Sequence, residues 1–282
     1  MTSVLEDGRR ISWAEYGRAS GVPLLFLHGT PGSRLQVRRM HGPAMAAGIR
    51  VVAPERPGYG ASDPVPGGVT FTGYADDLRQ LLDHLELPMV TLGGASGGGG
   101  FALATAILHP ERVTRLVLIS AAVPAPRSAL RGMSPPLRVL LWLAAHTPGP
   151  TERLLAAQLS TDLASAASVR RRRRLPAADR RLFDDPTWRA HFADDFREAF
   201  RQGPRATVHD LRPWREPLGV NLVNLTVETV LLHGSDDVNV PIGIARWFAA
   251  QVPSSRLIET PGAAHLFTLE HPEVILEWVA PR

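Results

Sequence analysis

Hydrophobic and polar positions along this chain switch between two periods, and the switching is regular. Short apolar runs of strand length occupy Pro23–His28, Ile49–Ala53, Met89–Leu92, Val113–Ile119, Thr229–His233 and Arg256–Glu259. Between them lie segments with helical spacing. The clearest is Phe71–Leu85, where Phe71, Tyr74, Leu78, Leu81, Leu82 and Leu85 fall on one helix face. A stretch running to about Ala47, then Phe101–Leu108, Ile242–Gln251 and Leu266–Val279, read as helices too. Val4–Tyr16 reads as two strands joined at Asp7-Gly8, a dipeptide suited to the positive φ of a tight hairpin. Such alternation predicts an α/β fold, a mostly parallel, doubly wound sheet with helices on both faces.

The alternation stops in the middle of the chain. Residues 122–221 are rich in proline, hold no convincing strand until their end, and carry helical pieces near 137–145, 151–167 and 186–201. The expected organisation is a core domain of residues 1–121 and 222–282, with 122–221 inserted as a helical cap, or lid. In doubly wound sheets ligands bind beyond the carboxyl ends of the strands. Within the insert, Asp185-Pro186 supplies an N-cap and a first-turn proline, and Gly203-Pro204 ends the helix. Trp188, Phe192, Phe196 and Phe200 recur every four residues and give that helix an aromatic stripe.

Composition narrows the classes. The 282 residues are 44% hydrophobic, enough for a sizeable core, and include no cysteine, so disulfides and thiolate metal sites are excluded. That suits a cytoplasmic location, and Met1–Arg10 carries Glu6 and Asp7 where a signal peptide would be apolar. The longest apolar run, Phe101–Leu108, is far short of the ~20 residues of a membrane span. All 31 basic residues are arginine. With three tyrosines and no lysine, a net charge of +4 persists to high pH, which is why the isoelectric point is 10.4. No tract interleaves basic and aromatic residues, so neither a nucleic acid nor a membrane is an expected partner. Arg170–Arg174 would point all round a helix and reads as a solvated loop or helix end, with attraction of an anionic substrate as the alternative. The oligomeric state is not legible.

The candidate chemistry starts at Gly94-Ala95-Ser96-Gly97-Gly98, a G-x-S-x-G pattern placed after a strand-like run and before a helix-like one. That context is what a nucleophile elbow requires: the serine sits in a strained turn, and glycines at 94 and 98 avoid a collision. A serine nucleophile needs a base, an acid that orients the base, and an oxyanion hole. Leu232-His233-Gly234-Ser235-Asp236-Asp237 places two aspartates just past a strand's end, and His265 follows the last strand. The backbone N–H of Gly97, next after the serine, is one expected oxyanion donor.

Here the chain resembles the α/β-hydrolase superfamily. Gly234, Asp237 and Pro241 match its G-x-x-D-x-x-x-P pattern, which implies Asp237 as the acid and leaves Asp236 as a rival. Gly262 and His265 match its G-x-x-H, implying His265 as the base. His28-Gly29-Thr30-Pro31-Gly32 is similar to its HGxPG loop, implying Thr30 as the second oxyanion donor and a structural part for His28. Arg56-Pro57-Gly58-Tyr59-Gly60-Ala61-Ser62 looks like its RPGxGxS turn, with Glu55 where many members carry aspartate. Some members place the acid after the strand that here ends near Ile119, but Ser120-Ala121-Ala122 offers no carboxylate. Gly99 and Gly100 depart from good helix-forming sequence; either they permit tight packing or they leave room beside Ser96.

The resemblance implies an enzyme: a serine hydrolase acting on a carboxylic ester, thioester or lactone of a small to medium apolar substrate through an acyl-Ser96 intermediate. No cofactor and no metal are implied, and no histidine pair has helical metal-binding spacing. The cap would line an apolar pocket, with Trp142, Trp188, Phe192, Phe196 and Trp214 as candidate substrate contacts. Three other readings stay open. A proline-type aminopeptidase would need cap carboxylates to hold an ammonium, drawn from Glu152, Asp162, Asp184, Asp185, Asp194 and Asp195. The same residues also suit a non-hydrolytic enzyme, a cofactor-free peroxidase or lyase, or a ligand-binding receptor.

Overall fold

Thr2–Val4 (β1) and Arg10–Gly17 (β2) form the expected N-terminal hairpin, followed by Val22–Leu27 (β3), Ile49–Pro54 (β4), Val90–Ala95 (β5), Val113–Ile119 (β6), Thr229–Gly234 (β7) and Arg256–Thr260 (β8). The structure is a computed structural model and describes residues 1–159, 173–212 and 218–279. Within these residues the eight strands make one sheet in the order β1-β2-β4-β3-β5-β6-β7-β8. The first two strands pair antiparallel and all the others parallel. It is therefore the mostly parallel doubly wound sheet expected.

Alternation along each strand builds two cores, one on each face. Leu25, Leu27, Leu92, Leu116, Leu118 and Leu231 face Phe71–His84 (α2), Gly98–Leu108 (α3) and a later helix, Ile242–Gln251. Their neighbours Leu24, Phe26, Val117, Ile119, Val230 and Leu232 face His41–Ala46 (α1) and the C-terminal segment, through Ala44, Ile275 and Trp278. A period of two thus puts apolar side chains on both faces of a buried sheet.

Five helices lie between β6 and β7 in the described residues: Pro135–His146 (α4), Pro148–Leu159 (α5), Ala177–Asp184 (α6), Pro186–Ala199 (α7) and Arg205–Leu211 (α8). Asp185 caps α7 as expected, its side chain accepting from the amides of Thr187 at 2.7 Å and Trp188 at 3.0 Å. After β7 come α9 (Ile242–Gln251), α10 (Phe267–Glu270) and α11 (Glu273–Leu276).

Two helix expectations are corrected. The stretch before Ala47 is helical only from Arg38, as a 3-10 turn leading into α1. Leu266–Val279 is two short helices rather than one. Pro272 has no N–H to donate and pushes His271 out of the helical region, to φ −121° and ψ 66°.

The strand order reverses beside β3: the chain goes from β3 out to β4, then returns to β5 on the other side. The β3 and β5 exits therefore open into one crevice at a topological switch point. His28–Gly32 leaves β3 there, and Ser96 leaves β5.

Candidate active site

Ser96 follows β5 directly and is held at φ +49°, a left-handed conformation rare for a side chain other than glycine's. The turn is pinned on both sides. Ser96 N–H donates to Ile119 O at 2.9 Å, and Ser96 O accepts from the amides of Gly99 at 3.0 Å and Ala122 at 2.8 Å. A Cβ at Gly98 would collide with the carbonyl oxygen of Leu27, and one at Gly94 with Ala102, so the elbow closes only with glycine there. Gly99 and Gly100 have the packing role: side chains there would strike Ala121 and Phe71.

Asp237 and His265 arrive from the β7 and β8 exits. His265 Nδ1 donates to Asp237 Oδ2 at 2.7 Å, and its Nε2 lies 3.0 Å from Ser96 Oγ, where it can accept the hydroxyl proton. The other oxygen of Asp237 accepts from the amides of Asn239 at 2.8 Å and Val240 at 2.9 Å, which fixes the carboxylate's orientation. Asp236 is exposed and bonds to Ser235 Oγ, away from His265. Burial pushes the Asp237 carboxyl up, but the charge and hydrogen bond of His265, with help from His233 and the Val240 amide, bring it below the ordinary carboxylate value. Burial draws the His265 imidazolium down, and Asp237, with Asp179 behind it, outweighs burial and raises it above 6.5. A hydroxyl, an imidazole and an oriented carboxylate in line form the relay that a serine nucleophile requires.

The loop after β3 lies against the elbow. The Thr30 amide nitrogen is 3.3 Å from where a Gly97 Cβ would stand, and neither the Thr30 nor the Gly97 amide donates to an acceptor among the described residues. Two adjacent unspent donors beside Ser96 are what an oxyanion hole needs. The Thr30 hydroxyl is already engaged, donating to Asp210 Oδ2 at 3.0 Å and accepting from Arg56 Nη2 at 3.0 Å. His28 is buried and both ring nitrogens serve the loop: Nδ1 donates to Gly29 O at 2.8 Å, and Nε2 accepts from the Arg56 amide at 3.2 Å. Burial, with the nearby Arg56 charge, holds it well below 6.5 and so neutral. Glu55 is buried and accepts from Arg34 Nη1 at 2.7 Å and Ala61 N at 2.9 Å, as well as from Ser12 Oγ.

A profile of the alpha/beta hydrolase fold matches residues 22–272. The chain belongs to the alpha/beta hydrolase fold family. It is 30% identical, over an alignment of 259 positions that covers 89% of this chain and 83% of the relative, to a 2-hydroxymuconate semialdehyde hydrolase from Pseudomonas sp. (strain CF600). Among solved structures it resembles an esterase from Exiguobacterium antarcticum, with a TM-score of 0.71 and 22% identity covering 99% of this chain and 97% of that one. It also resembles a bromoperoxidase from Bacillus anthracis, with a TM-score of 0.73 and 21% identity covering 99% and 98%. Likenesses at that identity establish the fold, which hosts more than one chemistry.

In this α/β hydrolase a cavity of about 340 Å³ opens over Ser96 and His265. Phe192 and Phe196 of α7 and Phe200 at its C-cap line it, with Leu137 and Leu140 of α4 and Leu211 of α8. Two expected contacts do not reach it. Trp142 is 50% exposed and stacks on His146 at 4.7 Å, because the buried face of α4 carries Leu137, Leu140, Leu141 and Ala144 instead. Trp188 packs on Phe192 under the Arg39 guanidinium. A four-residue repeat drifts about 40° per step around a helix, so the start of the stripe turns away from the cavity. Trp214 and Arg170–Arg172 lie outside the described residues; Arg173 and Arg174 are exposed.

Of the six cap carboxylates considered for an ammonium site, Asp195 lines the cavity, Asp194 pairs with Arg38 and Arg197, Asp185 caps α7, and Asp162 is outside the described residues. Glu152 and Asp184 do not line the cavity. Three buried contacts escaped sequence reasoning: Asp179, Asp195 and Asp210 each reach from a helix between β6 and β7 to a loop that follows a strand. No local pattern marks them, since each partner is distant in sequence. Among the described residues no cluster of three or more His, Asp or Glu is placed to hold a metal ion, and no helix is long and apolar enough to cross a membrane.

Proposed function

We propose that this α/β hydrolase cleaves a carboxylic ester, thioester or lactone of a small to medium apolar substrate through an acyl-Ser96 intermediate. The observation that carries the reading is the hydrogen-bonded line Asp237–His265–Ser96 at the floor of a largely apolar cavity of about 340 Å³. His265 takes the Ser96 proton as the hydroxyl attacks the acyl carbon, then returns it to the leaving group. Asp237 holds the tautomer with Nδ1–H and stabilises the imidazolium as it forms. The Thr30 and Gly97 amides donate to the developing oxyanion. Water, activated by His265, then releases the acyl group. The cap, residues 122–221, supplies the wall that sizes the substrate.

The ester reading is preferred over the aminopeptidase. Two carboxyls line the cavity, Asp179 and Asp195. Both oxygens of Asp179 accept from the His265 and Leu266 amides, and Ser33 N–H and O–H already occupy Oδ1 of Asp195. Burial, set against the hydrogen bonds from Ser33, raises Asp195 to about 7, so its charge is disfavoured and it is a poor anchor for a substrate ammonium. A panel of nitrophenyl esters of rising acyl length, run beside amino-acyl anilides, decides between them. Ester turnover without anilide turnover supports the proposal. Anilide turnover alone, or no turnover of either, contradicts it.

Two further outcomes are expected. General-base work needs neutral His265, and its raised pKa keeps it protonated to higher pH than a free imidazole. Activity is therefore lost as pH falls through that raised value, and the acid limb of kcat/KM should lie above 6.5. A limb below this value in a pH–rate profile would count against the triad assignment. In the cap, Phe196→Ala should shift the preferred acyl chain to greater length, changing the long-to-short ratio of kcat/KM by roughly tenfold. Trp142→Ala, on the exposed face of α4, should leave that ratio unchanged.

A further inference from the structure

The cap does more than wall the cavity. Asp179, in the first turn of α6, is buried, and its carboxylate bridges two consecutive amides of the core: Oδ1 accepts from Leu266 N at 2.9 Å and Oδ2 from His265 N at 3.2 Å. Apart from the His265 side chain's own bonds to Asp237 and Ser96, the loop's other hydrogen bonds to the core among the described residues lie in its first half. There Gly262 N donates to Ser235 Oγ at 2.8 Å, and Ala263 O accepts from Asp236 N at 2.9 Å, both partners lying on the acid's own loop. Apolar contact holds the second half as well: Leu266 packs against the cluster of Leu182, Trp188 and Phe192, and Phe267 joins the core on one face of the sheet. A second cavity of about 240 Å³ lies between α6, residues 260–263 and the Phe267–His271 segment, and Asp179 lines both it and the substrate cavity. The Arg181–Glu270 ion pair at the rim is mostly solvated on the arginine side and holds little.

Asp210 makes the matching contact on the other side of Ser96. From α8 it pairs with buried Arg56 at 2.7 Å and accepts from Thr30 Oγ, while Arg56 donates to Gly29 O at 2.9 Å. A buried carboxylate is costly unless its hydrogen bonds are made. Asp179 spends both its oxygens, and Asp210 its Oδ2, on loops that carry catalytic groups.

We propose that Asp179 is a positioning residue for His265: it holds the histidine loop at the height where Nε2 meets Ser96, so the triad is complete only when the cap is seated. A carboxylate suits the site because it sets one oxygen against each of two successive N–H donors and adds charge, whereas asparagine offers one oxygen and none. The inference rests on the serine-hydrolase reading above. The titratable groups facing His265 are Asp237 and His233 from the β7 exit and Asp179 from α6. Of these, only Asp179 belongs to the cap.

The test compares Asp179→Asn, Asp179→Ala and Asp179→Glu with the unaltered protein on a short nitrophenyl ester, recording kcat, KM, the pH profile and Tm. Asp179→Asn removes one acceptor and the charge. It should lower kcat roughly tenfold to a hundredfold, as small misplacements of a reacting group do, with KM little changed. Loss of the negative charge should also move the acid limb to lower pH, a change that a merely structural contact would not make. Asp179→Ala should lower kcat further. Asp179→Glu keeps charge and both acceptors, so it should retain the unaltered acid limb with intermediate kcat, and it serves if the other variants fail to fold. The proposal is overturned if kcat and the acid limb stay unchanged, if only KM moves, or if activity falls only in step with the folded fraction. Failure of the unaltered protein to turn over esters or to be labelled at Ser96 would instead overturn the serine-hydrolase reading itself.

Discussion

Replacing Ser96 with alanine is expected to reduce ester hydrolysis by roughly 10⁴- to 10⁶-fold while leaving the fold intact. The size follows from what the hydroxyl does. In the proposed mechanism it is the bond-forming atom, and His265 and Asp237 have no other group to activate, so the three residues would fail as a unit rather than by a third. Residual rate would come from the Thr30 and Gly97 amides and from the cavity, acting on water. Stability should change little, by about 1 kcal/mol or less. Ser96 Oγ has one hydrogen-bond partner, His265, and the elbow is pinned through backbone atoms that alanine keeps. Stopped assays on purified variant, with Tm alongside, separate lost chemistry from lost fold. A loss of tenfold or less would mean that another nucleophile does the work.

Asp210→Ala should have the largest effect on stability of any change considered, about 3–5 kcal/mol. Arg56 is fully buried, and although burial disfavours its charge, Asp210 and its other neighbours keep it protonated. Asp210 Oδ2 accepts from Arg56 Nε at 2.8 Å and lies 2.7 Å from Nη2. Removing the carboxylate strands a guanidinium in the interior, which costs far more than the pair itself contributes. Activity should fall too, because Arg56 and Thr30 would lose the anchor that fixes the oxyanion loop. Denaturant unfolding of the variant measures the first effect, and kcat on a short ester the second. The double change Arg56→Met with Asp210→Leu should recover much of the stability, since it buries no unpaired charge, but not the activity. Equal stability of Asp210→Ala and the unaltered protein would show that the pair is not buried as described.

These two residues also show what was legible in the chain. Ser96, Asp237 and His265 were readable because each stands at a strand's end, where local periodicity marks the position and short motifs mark the turn. The sheet was readable for the same reason: period-two runs such as Val113–Ile119 are local. Asp210 was not, because its partners Thr30 and Arg56 are 180 and 154 residues away, and Val208-His209-Asp210 looks like any helix end. Asp179 lies 86 residues from His265 and was missed on the same grounds. The cap was read for apolar content without knowing which face of each helix turns inward. That is why Trp142 and Trp188 were expected in the cavity, while Leu137, Leu140 and Leu211 were overlooked. The break at Pro272 carried a local signal, the His271-Pro272 step, that helical spacing across residues 266–279 concealed.

In the proposed mechanism Ser96 is an activated nucleophile. A fluorophosphonate probe reacts covalently with such a serine, and peptide mapping by mass spectrometry locates the adduct. The account predicts one stoichiometric adduct on Ser96 that is absent from Ser96→Ala and slowed in Asp237→Asn. An adduct on another residue, or none on protein with a native melting transition, would contradict it.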